Sequence, residues 1–142
     1  MPRMSVETAK HYFELMDSAD TTIDDILEMF ADDAVIHSPR KGIIRGIDEI
    51  RRFNEENAEF FTSGNHDMQQ FHQDGNTVIC EGYMNSTTKS GREANGVPLC
   101  DIFDFNENGK IQQFRAYLDY EGYLAEVPDE VPNVREQAEE HN

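Results

Sequence analysis

The chain has no tryptophan, two cysteines and few cations: Lys and Arg number 12 against 29 Asp and Glu, a formal charge of -17 over 142 residues. The lysines, Lys10, Lys41, Lys89 and Lys110, are scattered, so no basic stripe exists to track a phosphate backbone or an anionic lipid surface. This balance argues against nucleic acid and membrane surfaces as partners. No apolar run approaches the roughly 18 residues of a membrane span. Met1 to Lys10 also lacks the charged-then-apolar order of a secretory leader, so a cytoplasmic protein is expected. Cys80 and Cys100 stand far apart in strand-like sequence with no CxxC, and are expected reduced and buried.

Motifs for metals, nucleotides and acyl transfer are also missing. His11, His37, His66, His72 and His141 show no HExxH or related spacing, no glycine-rich loop opens a helix, and no GxSxG surrounds a serine. Asp104, Asn106, Asn108 and Gly109 begin a calcium-loop pattern, but its twelfth position is Arg115 where a bidentate Glu should coordinate. No metal and no cofactor are expected.

What the chain does have is length for one domain and a change of period halfway along. At 142 residues one core and one pocket are affordable. Val6, Ala9, Tyr12, Phe13 and Met16 recur at helical spacing; Asp17 to Thr22 interrupts, and Ile23, Ile26, Leu27 and Phe30 resume it. A strand near Ala34 to Ser38 ends at Pro39 and a shorter one covers Ile43 to Arg45. Gly46 then opens a third helix with Ile47, Ile50, Phe53, Asn57, Phe60 and Phe61 inward.

From His66 the period becomes two. Strands are expected to Gln73, from Thr77 to Thr87, from Gly96 to Phe105 and from Ile111 to Tyr120, the last pair joined through a type I′ turn at Asn108-Gly109. Beyond Val127 prolines and charges predict a poorly ordered acidic tail over 128–142, with a short helix near Val134 to Glu139. Helices first and meander strands afterwards define an α+β domain over 1–127: a curved antiparallel sheet with three helices from the N-terminal half closing a pocket.

Three segments carry a family resemblance. ADDAVIHSP (Ala31 to Pro39), KHYFELMDSAD and CDIFDFNENGKIQQFRAY resemble the ketosteroid isomerases and SnoaL-like cyclases of the NTF2-like superfamily, over about Thr8 to Tyr120. The resemblance implies the cone-shaped NTF2-like fold, a small-molecule ligand or substrate, and a homodimer through the outer face of the sheet. It also puts Tyr12 on the tyrosine that hydrogen-bonds the substrate carbonyl, and Asp101 on the acid that shares the oxyanion hole, kept protonated by an apolar site. The catalytic base of the isomerases, an aspartate before the proline, is here Ser38. An unassisted serine hydroxyl cannot take a proton from carbon at neutral pH, so the usual steroid isomerisation is not expected.

Strand alternation assigns the remaining pocket groups. With Asp101 inward, Phe103 follows; Phe114, Ala116, Leu118 and Tyr120 should face in on the last strand, leaving Gln113, Arg115, Tyr117 and Asp119 outside, where Asp119, beside Arg115, is expected in a surface or interface ion pair rather than as an acid catalyst. On the strand before, the resemblance places Glu81, Tyr83 and Asn85 inward. Glu81 is then the expected substitute base, with His37 as the other candidate. Ser38, Phe53, Tyr83, Asn85, Phe103, Phe114 and Leu118 are expected to contact the substrate. Epoxide hydrolase chemistry of the limonene type is set aside, because Glu81-Gly82-Tyr83 and Ala116 replace its Arg-x-Asp and Asp. A scytalone dehydratase arrangement would need His37 and His72 in the pocket.

Two functional classes follow. One is an enzyme that isomerises, cyclises or dehydrates a small polar carbonyl compound; the other is a module that binds a small molecule or a partner without chemistry. Fold analogy does not choose between them. The acid excess itself is typical of chains that stay soluble in high salt. Thermal melting should rise between dilute buffer and molar KCl as salt screens the carboxylates; an unchanged melting temperature would rule out this adaptation.

Overall fold

The computed structural model describes residues 2–119. The expected tail, its short helix and Tyr120 lie outside the described residues. Helix α1 (Pro2–Asp17) buries Ala9, Tyr12 and Phe13, the i, i+3, i+4 set of one face. Helix α2 (Ile23–Leu27) is only a turn and a half, and a capping box starts it: Thr22 Oγ1 accepts from the Asp25 amide at 3.1 Å, and the Asp25 carboxylate accepts from the Thr22 amide at 2.9 Å. Strands β1 (Phe30–Ser38) and β2 (Gly42–Arg45) lead to α3 (Gly46–Phe60), after which β3 (Phe61–Asp74), β4 (Thr77–Thr88), β5 (Glu93–Phe105) and β6 (Ile111–Leu118) form a meander.

The strands make one open six-stranded sheet in the order β2-β1-β6-β5-β4-β3. Every pairing is antiparallel except β1 with β6, which is parallel. That one parallel contact brings the early strands beside the last one and curves the sheet around the helices. Helix α1 lies over β3, and α3 over β1 and β2.

Register decides which side chains the helices cover. Cys80 pairs with Asp101, and Asp101 with Ala116, so these three share the inner face; Glu81 pairs with Cys100, and Cys100 with Tyr117, on the outer one. The expected burial of both cysteines therefore holds only for Cys80, since Cys100 is half-buried on the other face. Under the helices the Tyr12 ring meets Phe103 and Phe114 at 5.4 Å each, and Phe103 meets Phe114 at 4.9 Å. Ile36, Ile50, Val78 and Ile111 fill the gaps. Each such side chain contributes about 1.5–3 kcal/mol on burial, which makes this layer the main support of the fold.

Several boundaries differ from the sequence expectation. Strand β3 begins at Phe61 rather than His66, because the helix passes straight into it: the Phe61 amide still bonds to Asn57 O while its backbone is already extended. The β5–β6 connection is not a type I′ turn. Only Gly109 has positive φ, at 75°, and the Asn106 side chain instead accepts from the Asn108 and Lys110 amides at 2.9 and 3.0 Å. Arg115 Nη1 binds Asp104 at 2.8 Å across the same hairpin.

Gly82 marks the tightest approach in the sheet. A Cβ there would stand 2.2 Å from Asp67 O and 2.6 Å from Met68 Cα, beside the β3 bulge between Met68 and Gln70. Gly82→Ala should therefore destabilise the fold by about 1–3 kcal/mol or displace the bulge, and urea unfolding measures it.

Candidate active site

Between the helices and the inner face lies a cavity of about 340 Å³. That volume falls at the small end of the roughly 300–1,000 Å³ of ligand pockets. Its apolar wall includes Phe53, Leu99, Phe114, Ala116 and Leu118, and its polar groups include Tyr12 and Asp17 on α1, Ser38 and Arg40 around the β1–β2 turn, Asn54 and Asn57 on α3, His66 on β3 and Asp101 on β5.

Asp101 is 2 % exposed, and its Oδ1 has no hydrogen-bond partner among the described residues. Burial pushes its pKa up to about 7, against a smaller downward pull from His66. Below that pH the group is a neutral carboxylic acid able to donate into the cavity. Tyr12, buried above it, is raised as well, by burial first and then by the negative potential of Asp101 and Asp17, so its phenol stays protonated and is a donor too. The buried Cys80 thiol beside Asp101 is pushed up in the same way and does not ionise.

His66 is held by Asp17. One carboxylate oxygen lies 2.6 Å from His66 Nδ1, and the other accepts from the His66 amide at 2.9 Å. The ring also packs on Phe13, centroids 5.1 Å apart. With Nδ1 fixed on a carboxylate, Nε2 is the nitrogen left to exchange a proton, the arrangement that orients a histidine base. Asp17 closes α1, where a negative charge faces the negative end of the helix dipole. A local rule broken at such a place marks a group kept for its contact rather than for the helix.

Ser38 lines the cavity, but its Oγ accepts from the backbone amides of Arg40 at 3.3 Å and Lys41 at 3.2 Å. It shapes the turn. Arg40, only 8 % exposed, donates Nη2 to Asn57 Oδ1 and lies 5.5 Å from the Phe61 ring centroid.

Of the residues expected from sequence, Tyr12, Asp101, Ser38, Phe53, Asn85, Phe114 and Leu118 line this cavity. Four others do not. Glu81 and Tyr83 project from the outer face, Tyr83 45 % exposed, because the pairing of Cys80 with Asp101 gives the inner face to the even-numbered residues of this part of β4. Asn85 reaches the cavity wall next to the β4–β5 bulge between Met84 and Ser86, its Oδ1 accepting from the Gly96 amide at 2.8 Å. His37 also lies across the strand from the cavity: Ile36 turns inward, and the His37 Nε2 meets the Gln113 amide nitrogen at 2.8 Å. Phe103 is fully buried in the aromatic layer beneath Tyr12, without reaching the cavity. His72 sits on the surface against Gln70. Asp17, His66 and Arg40 were not expected, and the one local signal was the acid closing a helix.

A curved sheet folded over three helices around a buried acid defines a class, and the sequence agrees with it. The chain belongs to the SnoaL-like domain family, whose sequence profile matches residues 9–114. No curated protein sequence matches it. Among solved structures it resembles an NTF2-like protein of unknown function from Burkholderia pseudomallei K96243, 19% identical, covering 87% of this chain and 97% of that one at a TM-score of 0.78. A candidate SnoaL-like polyketide cyclase from Jannaschia sp. CCS1 is 18% identical over 89% of this chain and 92% of that one, with a TM-score of 0.77. A protein of ketosteroid isomerase-like fold from Catenulispora acidiphila DSM 44928, in complex with trimethylamine, is 14% identical over 85% and 92% at 0.72. At these identities the likeness is one of fold.

The state of Asp101 sets a pH dependence. The folded carboxyl keeps its proton to about pH 7, while the unfolded one loses it near its ordinary 3.8, so unfolding releases a proton in that window. Stability contributed by this group is full below the lower value and is lost as pH rises to the upper one. Asp101→Asn, which cannot ionise, should gain on the unchanged chain by about 1–4 kcal/mol between pH 4 and pH 8 in urea unfolding. A difference that is flat with pH would show the carboxyl to be ionised in the fold.

Proposed function

We propose that this SnoaL-like chain is an acid/base enzyme that isomerises, cyclises or dehydrates a small polar carbonyl compound in its cone pocket. The observation that carries this reading is the Asp17-held His66 lining the same cavity as the buried acid Asp101. Tyr12 and Asp101 donate to the carbonyl oxygen and stabilise the charge that develops there, each such donor contributing about 10²–10³ in rate. His66 Nε2 removes the proton from the adjacent carbon. The resulting enolate then takes its proton back at another carbon, expels a β-hydroxyl, or attacks a second carbonyl; the three outcomes share the first step. This assignment moves the base from Glu81 and His37, which face away from the cavity, to a histidine that lines it. It also fits Ser38, whose oxygen is occupied by backbone amides.

A second reading, a pocket that binds without chemistry, draws support from that same Ser38, which leaves the position of the isomerase base without a base. Incorporation of deuterium from solvent next to the carbonyl of small ketones, followed by NMR, separates the two. Under the enzymatic reading His66→Gln lowers exchange by about 10²-fold or more, and Asp17→Asn by less, because it removes the orientation of the ring and not the base. Exchange should also fall above about pH 7 as Asp101 loses its proton. Ligands that raise the melting temperature while no member of the series exchanges would favour the binding module.

A further inference from the structure

The acid/base reading leaves Arg40 unused, although it is the most deeply buried cation among the described residues. A guanidinium keeps its charge in any environment a protein offers, so it must be compensated where it is buried. Three other described cations have carboxylates: Arg51 pairs with Asp24, Arg115 with Asp104 and Lys41 with Glu56. Arg40 has none among the described residues, in a chain with 29 acids. Its Nη2 goes to a neutral amide, its Cζ lies over the Phe61 ring, and its Nε–H is buried without a hydrogen-bond partner among the described residues. An amide and an aromatic face orient the cation without neutralising it.

This unneutralised fork lines the same cavity as Tyr12, His66 and Asp101. Its backbone is fixed by Ser38, and the Asn57 amide beside it retains an NH₂ group to donate. We propose that Arg40 and Asn57 form an anion subsite, and that the ligand of the cavity is a small carboxylate, an oxocarboxylic acid whose carboxylate pairs with Arg40 while its carbonyl meets Tyr12 and Asp101. The second half of the proposal rests on the acid/base reading; the anion subsite does not. A planar monoanion fits better than a phosphate. One guanidinium fork matches a carboxylate edge, the neighbouring Lys41 is taken by Glu56, and the adjoining wall of Phe53, Phe61 and Leu118 offers no further charge. The acids that face the cavity leave room for it: both oxygens of Asp17 are taken by His66, and Asp101 holds its proton below about pH 7.

Calorimetric titration at pH 6.5 and fixed ionic strength tests this with oxocarboxylates of three to six carbons, such as 4-oxopentanoate, each against its neutral amide. At least one acid should bind about tenfold or more tighter than its amide. Arg40→Gln should remove that preference. Because loss of a buried Arg can unfold the chain, the second variant is Asn57→Asp, which gives Arg40 an internal carboxylate at the same atoms; it should remove the preference with no fall in melting temperature. Equal affinities for acid and amide throughout the series, or a preference that survives Asn57→Asp, would overturn the subsite. Inorganic phosphate binding tighter than every carboxylate, and lost in both variants, would overturn the carboxylate assignment. Binding needs no turnover, so an Arg40-dependent carboxylate that never exchanges deuterium refutes the enzymatic reading alone, whereas exchange with Arg40-independent binding refutes the subsite alone.

Discussion

A carboxyl group at the centre of the sheet, between Cys80 and Ala116 on neighbouring strands and under the Tyr12 ring, is the constraint around which the molecule is arranged. Withdrawn from water, Asp101 is costly as an anion and cheap as an acid. The aromatic layer that excludes water from it is also what joins the helices to the sheet, so the burial that stabilises the fold and the burial that keeps the proton on Asp101 come from the same rings. Softening that layer would change both together.

The polar groups of the cavity fall into two sets with opposite demands. Tyr12 and Asp101 are donors kept neutral by apolar surroundings, with the Asp17–His66 pair as the acceptor beside them. Arg40 keeps a full charge at the β1–β2 turn, seated on the Asn57 amide and the Phe61 ring. A ligand satisfying both sets must be polar at two points and apolar between them. The modest volume of the cavity suits a small ligand of this kind.

Much of the fold was legible because its periods are clean. Ala9, Tyr12 and Phe13 mark a helix face, and Phe114, Ala116 and Leu118 alternate without interruption, so both elements and their inner sides read correctly. Strand β4 gave no such guide. Val78, Ile79 and Cys80 are consecutive apolar residues, which leaves the face of Glu81 open until a partner strand is known, and the pairing of Cys80 with Asp101 settles it the other way. The Asp17–His66 contact joins a helix end to a strand 49 positions away, a distance no local motif spans. Arg40 is hidden by its type, since arginines are mostly exposed and nothing near Pro39 says otherwise.

Ser38 has a meaning beyond the absence of a base. Its hydroxyl accepts the amides of Arg40 and Lys41, a task that an aspartate side chain performs equally well. The turn would therefore tolerate a carboxylate there, and it is the electrostatics that would not: an anion two residues from Arg40 on the same cavity wall would satisfy the guanidinium from within. With Arg40 proposed as the receptor for an anionic substrate, a proton-abstracting carboxylate would compete with that substrate for one corner, so an exchange of serine for aspartate there would act as a change of diet rather than a repair.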